Sequence, residues 1–466
     1  MSRRAQAMLL MSIACPAWAG EAVYRVDLTL APSPRIKVHA TVPSDGESLA
    51  MATSRPGDVP EVADAGWPGL VRHLRVTDER GAVVATSPAG AAGWKLARPV
   101  QGTLTLDYEV DYAPLAARSW PAPRECAFAD GDHVIVIGRS VFLTTPAQQA
   151  SAVRFLAPGG WSAVTPWRGT VPTTDDLTEN LIAFTKKAPD TLTAGGFQVR
   201  VVPIGSWETA RAEVRRVIDL SVKRLVAFVG ASGTADYLVV LLPQNEHGGE
   251  SFRASFALTL DAAPSAANLD DWGNTIAHEI FHHWNGWILQ GADYMATQWF
   301  QEGFTEYAAN LALVSAGLTS PEQFEAKLAS HVANYRKLQT PLDAPGTHKG
   351  PPLYGGGALV AFTWDTMIRE ATRNARGLGD VFRALLRDAK KPYSWTDIAR
   401  ALANVAPPDW TEFHHRFIHG TEPLPLDAAF ARVGLKLTEG EGSVRVDSDP
   451  AATEAAKARF RALIGR

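Results

Sequence analysis

His278-Glu279-Ile280-Phe281-His282 is the string on which the reading of this chain turns. Residues four apart on a helix share a face, so both imidazoles can reach one ion. Glu279 stands one step round, beside the open position of that ion rather than among its ligands. The opposite stripe, Ala277, Ile280, Phe281 and Trp284, is apolar and suits a core. With 12 His in 466 residues, such a string arises by chance in roughly one or two chains in a hundred. A helix with two core or capping histidines is the competing reading.

Twenty residues after His282, the stretch Trp299-Phe300-Gln301-Glu302-Gly303-Phe304-Thr305-Glu306-Tyr307 supplies a carboxylate. Two His and one Glu, with a fourth position left for water, form a catalytic zinc set. Glu306 lies one turn beyond Glu302 on the same face. It is a candidate to orient a ligating imidazole, since such rings usually donate their other N–H to a carboxylate; the alternative is a solvated surface acid. His283 is rotated about 100° from His282 and is not expected to be a ligand. His414, His415 and His419 lack the i, i+4 spacing and read as surface or packing residues. His247 adjoins a Gly-Gly pair and is a candidate substrate contact.

The strings HEIFHHWN and WFQEGFTEY resemble the glycyl aminopeptidase family of zinc metallopeptidases, within the gluzincin group. The resemblance continues in Tyr354-Gly355-Gly356-Gly357-Ala358-Leu359-Val360 and in His419-Gly420-Thr421-Glu422-Pro423-Leu424-Pro425. It covers roughly 230 to 437, and the first half more loosely. It implies a thermolysin-like catalytic domain between a β-sandwich and a helical domain, and a peptide as substrate. One zinc ion is expected on His278, His282 and Glu302, with Glu279 as general base. The resemblance also places a tyrosine, Tyr354, before a glycine-rich helix start as donor to the reaction's oxyanion, with His348 as a rival.

Two departures stand out. The family commonly carries a PDZ-type domain near the carboxyl end, and only 29 residues follow Leu437 here. The family's Gly-Gly-x-Glu substrate loop is His247-Gly248-Gly249-Glu250-Ser251-Phe252-Arg253 in this chain. Gly248, Gly249 and Glu250 are the substrate-binding candidates, yet Ser251 occupies the place of the acid and Glu250 comes one position early. In a strand, one position sends a side chain to the other face. On a glycine-rich loop the backbone can swing it back. Aminopeptidase and endopeptidase therefore both stay open, and so does a catalytically idle binding scaffold, although a closed structural zinc site needs no base such as Glu279.

Around this centre the chain is organised simply. Its length suggests roughly three domains, and 46% hydrophobic with 20% charged residues suits a globular protein. A formal charge of -4 argues against a nucleic-acid surface. Arg3 and Arg4, the apolar run Ala7 to Ala14 and Ala17-Trp18-Ala19 read as a secretory leader over 1–19, giving an exported, periplasmic or secreted protein with no transmembrane segment in the mature chain. Removal of the leader takes Cys15 and leaves Cys126 alone, a buried inert thiol. Residues 20–200 alternate with period two between Gly, Pro and Asp clusters and predict a β-sandwich. Residues 201–325 predict a mixed α/β catalytic domain, with a helix over 208–228 capped by Ser206 and stopped at Gly230, then strands over 237–242 and 252–260. Residues 326–437 predict a helical domain, and 438–466 a short polar tail. The expected class is multidomain α+β.

Overall fold

The structure, a computed structural model, describes residues 20–52, 66–113, 127–230, 235–243, 246–344, 350–389, 392–440 and 442–466. The expected leader, Cys15, Cys126 and His348 lie outside the described residues.

Contacts divide the chain into two units. The first holds the described residues up to 113 together with 138–162 and 168–178. Ala22, Tyr24, Val26 and Leu28 are all buried, as their period-two spacing requires. Their strand, Glu21–Thr29, runs antiparallel to Arg35–Ala50 and parallel to Ala150–Leu156 within a seven-stranded sheet. The buried tyrosine hydroxyls find partners: Tyr24 donates to Leu143 O at 2.7 Å and Tyr108 to Val141 O at 2.7 Å.

The second unit takes in 127–137, 163–167 and everything from Glu179 onward. The boundary expected at 200 falls inside it, because its sheet begins earlier, with β1 (Asp190–Ala194) and β2 (Phe197–Pro203). Strands β3 (Ala235–Leu241), β4 (Gly248–Phe252) and β5 (Ser255–Thr259) complete it in the order β1-β2-β3-β5-β4, which leaves β4 at the edge. One face carries Tyr237, Val239, Leu241, Phe256 and Leu258 into the main core. Helix α1 (Arg211–Val229) packs there through Val214, Val217, Ile218, Val222 and Leu225.

Two local expectations need correction. Helix α1 starts at Arg211 after a short 3-10 turn, and Ala210, not Ser206, is its N-cap; Gly230 does stop it, in the left-handed conformation. The strand expected over 252–260 is broken at Arg253-Ala254, where β4 turns into β5. That turn is held from outside the hairpin. Arg253 N donates to Glu179 O at 2.9 Å and Ala254 N to Asn180 Oδ1 at 2.7 Å.

Helices α2 (Leu269–Phe281), α3 (Tyr294–Ser315), α4 (Pro321–Tyr335) and α5 (Pro351–Ala371) follow, then shorter helices at 378–387, 395–405, 410–417 and 426–432. The expected polar tail is instead folded. Leu435–Gly440 and Ser443–Ser448 form a hairpin, Glu454–Leu463 a helix capped by Thr453, and Leu435, Val446, Leu463 and Ile464 are buried in the main core. The class is the expected multidomain α+β, strand-rich first and helical last. No helix among the described residues is long and apolar enough to cross a membrane.

Candidate metal centre

Helix α2 forms where Asp270 and Asp271 meet the positive end of its dipole and where Trp272, Ile276, Ala277 and Ile280 give it a buried stripe. It ends at His282. The chain then passes through a wide π turn, His283–Ile288, in which Asn285 (φ −101°, ψ 72°) and Gly286 (φ 157°, ψ −49°) leave helical geometry. This turn brings the Asn285 carbonyl back to accept from His282 Nδ1 at 3.0 Å. Gly286 suits this turn through its φ of 157°, which side-chain-bearing residues rarely adopt.

Helix α3 begins at its cap Asp293, whose side chain accepts from Ala296 N. Its Gly303 abuts Gly357 of α5 so closely that a Cβ on either residue would collide with the opposing backbone. Helices α3 and α5 therefore cross backbone to backbone. The crossing sets Glu302, next to Gly303, on the same side as Tyr354.

The three candidate ligands converge. His278 Nε2 and His282 Nε2 are 3.0 Å apart, and Glu302 Oε2 is 3.4 Å from each. All three side chains are buried, and they form a group in which one atom from each lies within 4.8 Å of the others. Neither Nδ1 is available for an ion. A carbonyl can only accept, so His282 Nδ1 carries its proton toward Asn285 O. His278 Nδ1 donates to Glu306 Oε2 at 3.2 Å, the orienting contact expected of Glu306. Both Nε2 lone pairs therefore face a carboxylate oxygen across a shared space, and two nitrogens with one oxygen are the donor set a zinc ion takes.

The electrostatics agree. Burial works against protonation of His278, but Glu302 and Glu306 outweigh it and push its pKa up to about 10. Burial likewise opposes protonation of His282, and Glu302 overcomes it and raises the pKa. Burial would raise both acids, yet the imidazoles hold Glu302 well below the usual range and Glu306 at about 2. Without a cation, the carboxylates favour a proton on His278 and the imidazoles favour negative charge on Glu302 and Glu306. Glu279 differs: burial raises it, and the two imidazoles only partly offset that.

Glu279 points to the sheet side of α2. The backbone of β4 passes beside it, so close that a Cβ on Gly249 would lie 2.7 Å from Glu279 Cδ and Cγ. Tyr354, at the start of α5, stacks on the His278 ring at 6.1 Å with an 11° interplanar angle. Its phenol is pushed well above its ordinary pKa by burial and then by Glu302, so it stays protonated as a donor.

The structure decides between the two placements of Glu250. Gly248–Phe252 is a regular strand with Gly249 opposite Leu258, Glu250 opposite Ala257 and Ser251 opposite Phe256. Leu258 and Phe256 line the helix side, so Gly249 and Ser251 share the face of Glu279 and Glu250 takes the other. The expectation that Glu250 swings back into the site is not met, because the glycines are held in a ladder rather than in a loop. The other histidines also take their places. His283 Nδ1 donates to Arg253 O at 2.9 Å and belongs to the packing. His247 is exposed, 3.0 Å from Thr275 Oγ1. His414 stacks on Trp395 at 3.9 Å, and His419 meets Asp343 at 3.0 Å.

Sequence reasoning passed over Tyr294, whose hydroxyl donates to Glu302 Oε1 at 3.3 Å. The signal was there: eight residues on a helix are a little over two turns, which puts both on one face. It also passed over Asn310, whose amide donates to Glu306 Oε1 at 2.9 Å, one turn further along. Nothing local marks His331, brought from α4 to 3.6 Å from the same oxygen.

Comparisons with known proteins agree with this geometry. Residues 272–343 match the family model described as M61 glycyl aminopeptidase. That segment carries both histidines, Glu279, Glu302 and Glu306. No curated protein sequence matches the chain. Among solved structures, an aminopeptidase N family protein from Idiomarina loihiensis superposes with a TM-score of 0.72 at 16% identity, covering 90% of this chain and 79% of that one. A two-domain M1 zinc metallopeptidase, a mutant bound to L-tryptophan, superposes with a TM-score of 0.55 at 16% identity, covering 88% and 95%. Both share its fold.

Proposed function

We propose that the chain is a zinc-dependent peptidase acting on short peptides, with one ion held by His278, His282 and Glu302. The observation that carries this is the meeting of two Nε2 lone pairs and one carboxylate oxygen beside a buried acid that is not a ligand. A bound zinc ion supplies a Lewis acid and brings the pKa of its water to about 7. Glu279 accepts a proton from the attacking water, orients the attack on the scissile carbonyl, and returns the proton to the leaving amine. Tyr354 donates its phenol proton toward the oxyanion of the tetrahedral intermediate. Glu306 holds the His278 ring by its Nδ1–H. The narrow approach at Gly249 bounds the Glu279 carboxylate on the strand side.

The family match supports an aminopeptidase. A free α-ammonium calls for a carboxylate near the reacting bond, and the register of β4 turns Glu250 to the far face. That placement favours a second reading, a peptidase without a strict need for a free amino terminus. Turnover of matched peptides with free and acetylated amino termini separates the two. Loss of cleavage on acetylation supports the aminopeptidase, and equal cleavage supports the second reading. In the first case, native preference in Glu250→Gln would show that Glu250 does not read the ammonium. The arginine start, apolar run and Ala-Trp-Ala string support export; amino-terminal sequencing of mature protein from its host should begin near Gly20, and an intact Met1 would rule this out.

A further inference from the structure

We propose that Asn285 is a positioning residue that ties together the two segments carrying the metal ligands, an inference that rests on the zinc reading above. Three residues past His282, it is fully buried, at 0% exposure. Its backbone carbonyl fixes the His282 ring by accepting from Nδ1. Its side-chain Nδ2 reaches the other segment, donating to Phe300 O at 3.0 Å, Gln301 O at 3.0 Å and Thr305 Oγ1 at 3.2 Å. Phe300 and Gln301 are the two residues before Glu302, so these bonds set the rotation and axial position of the turn that presents it. One residue thus places an imidazole through its main chain and a carboxylate through its side chain.

Two features argue that the amide is there for its donors rather than for its volume. Two of the three partners of Nδ2 are carbonyls, which can only accept, so a flipped amide would set Oδ1 against both Phe300 O and Gln301 O; these two fix the orientation. In that orientation Oδ1 is buried without a hydrogen-bond partner among the described residues. An orphaned acceptor is a cost that leucine, of similar shape, would not carry. The turn also departs from helical geometry at Asn285 itself, which lets carbonyl and amide point toward different segments.

The test measures the zinc dissociation constant of the purified chain by competition with a chromophoric chelator, separately from turnover. Asn285→Leu should weaken binding about tenfold to a hundredfold, as loss of an outer support does, with KM near native and kcat recovering at saturating zinc. Thr305→Val, which removes one acceptor of the same amide, should weaken it less. Val314→Ala, a cavity on the same helix, should lower the unfolding temperature and leave zinc affinity alone. If Asn285→Leu does not fold, Thr305→Val against Val314→Ala decides. Native protein that binds zinc while neither Asn285→Leu nor Thr305→Val changes the dissociation constant overturns the role of Asn285 alone. Native protein that binds no zinc overturns the metal reading as well.

Discussion

The backbone of Gly249 lies against the carboxylate of Glu279, with no room between them for a single methyl group. Edge strand β4 and helix α2 are in this way fitted at the acid proposed to move the proton. Gly249→Ala should displace that carboxylate, since the new Cβ would lie 2.7 Å from Glu279 Cδ and Cγ and one of the two must shift. A displaced general base costs about 10²-fold or more in kcat, while zinc content should stay native. Steady-state kinetics with metal analysis checks this; an alanine variant with native kcat would show that the approach has no consequence.

Glu279→Gln keeps the shape and removes the base. The expected result is retained zinc and a loss of roughly 10²- to 10⁴-fold in kcat. His282→Ala and Glu302→Ala should instead lose the metal, because each is one of the three proposed ligands. Metal loss in Glu279→Gln would move that residue from base to ligand.

With zinc at the proposed site, protons and metal would compete there, and the direction is set by the raised histidines. The His278 pKa rises from 6.5 to about 10, so zinc must displace a proton at neutral pH and its affinity should climb as pH rises toward 10. Metal-free stability runs the other way. The His278 contribution is fully present below 6.5 and lost as pH rises through about 10. The Glu306 contribution is present above 4.5 and lost as pH falls through about 2. For this pair, the chelated protein is most stable between 4.5 and 6.5. Thermal unfolding with chelator across pH, beside zinc titrations in weak buffer, should show opposite trends above pH 7. Parallel trends would contradict the assignment.

Gly303→Ala tests the helix crossing. Alanine gains about 1 kcal/mol of helix propensity, but its Cβ would meet the Gly357 backbone, which no rotamer change can relieve. Overpacking of about 1–3 kcal/mol should win. A lower unfolding temperature with weakened zinc binding is expected, because Glu302 moves with its neighbour. An unfolding temperature at or above native would contradict the tight crossing.

The candidate ligands were legible because they follow helical periodicity: four residues from His278 to His282, and a second helix carrying Glu302, with Glu306 one turn on. Their supports come from contacts remote in sequence. Gly248 and Gly249 read as a loop because glycine is a poor strand former, yet pairing with Leu258 and Thr259 puts them in a ladder. The turn at Arg253-Ala254 has no turn residue of its own and is set by Asn180. The stretch after 437 looked like a polar tail because its hairpin buries one face sparsely, through Leu435 and Val446. Ser206 resembled a cap, but a 3-10 turn intervenes before α1 begins.

The central claim is one zinc per chain at His278, His282 and Glu302, required for turnover. Metal analysis of native protein after exhaustive dialysis, with peptide turnover followed through chelation and stoichiometric zinc return, tests it most directly. The account predicts one zinc per chain, loss of activity with its removal and recovery at one equivalent. A dialysed protein that holds no zinc, or one that cleaves peptides as fast without it, contradicts the account.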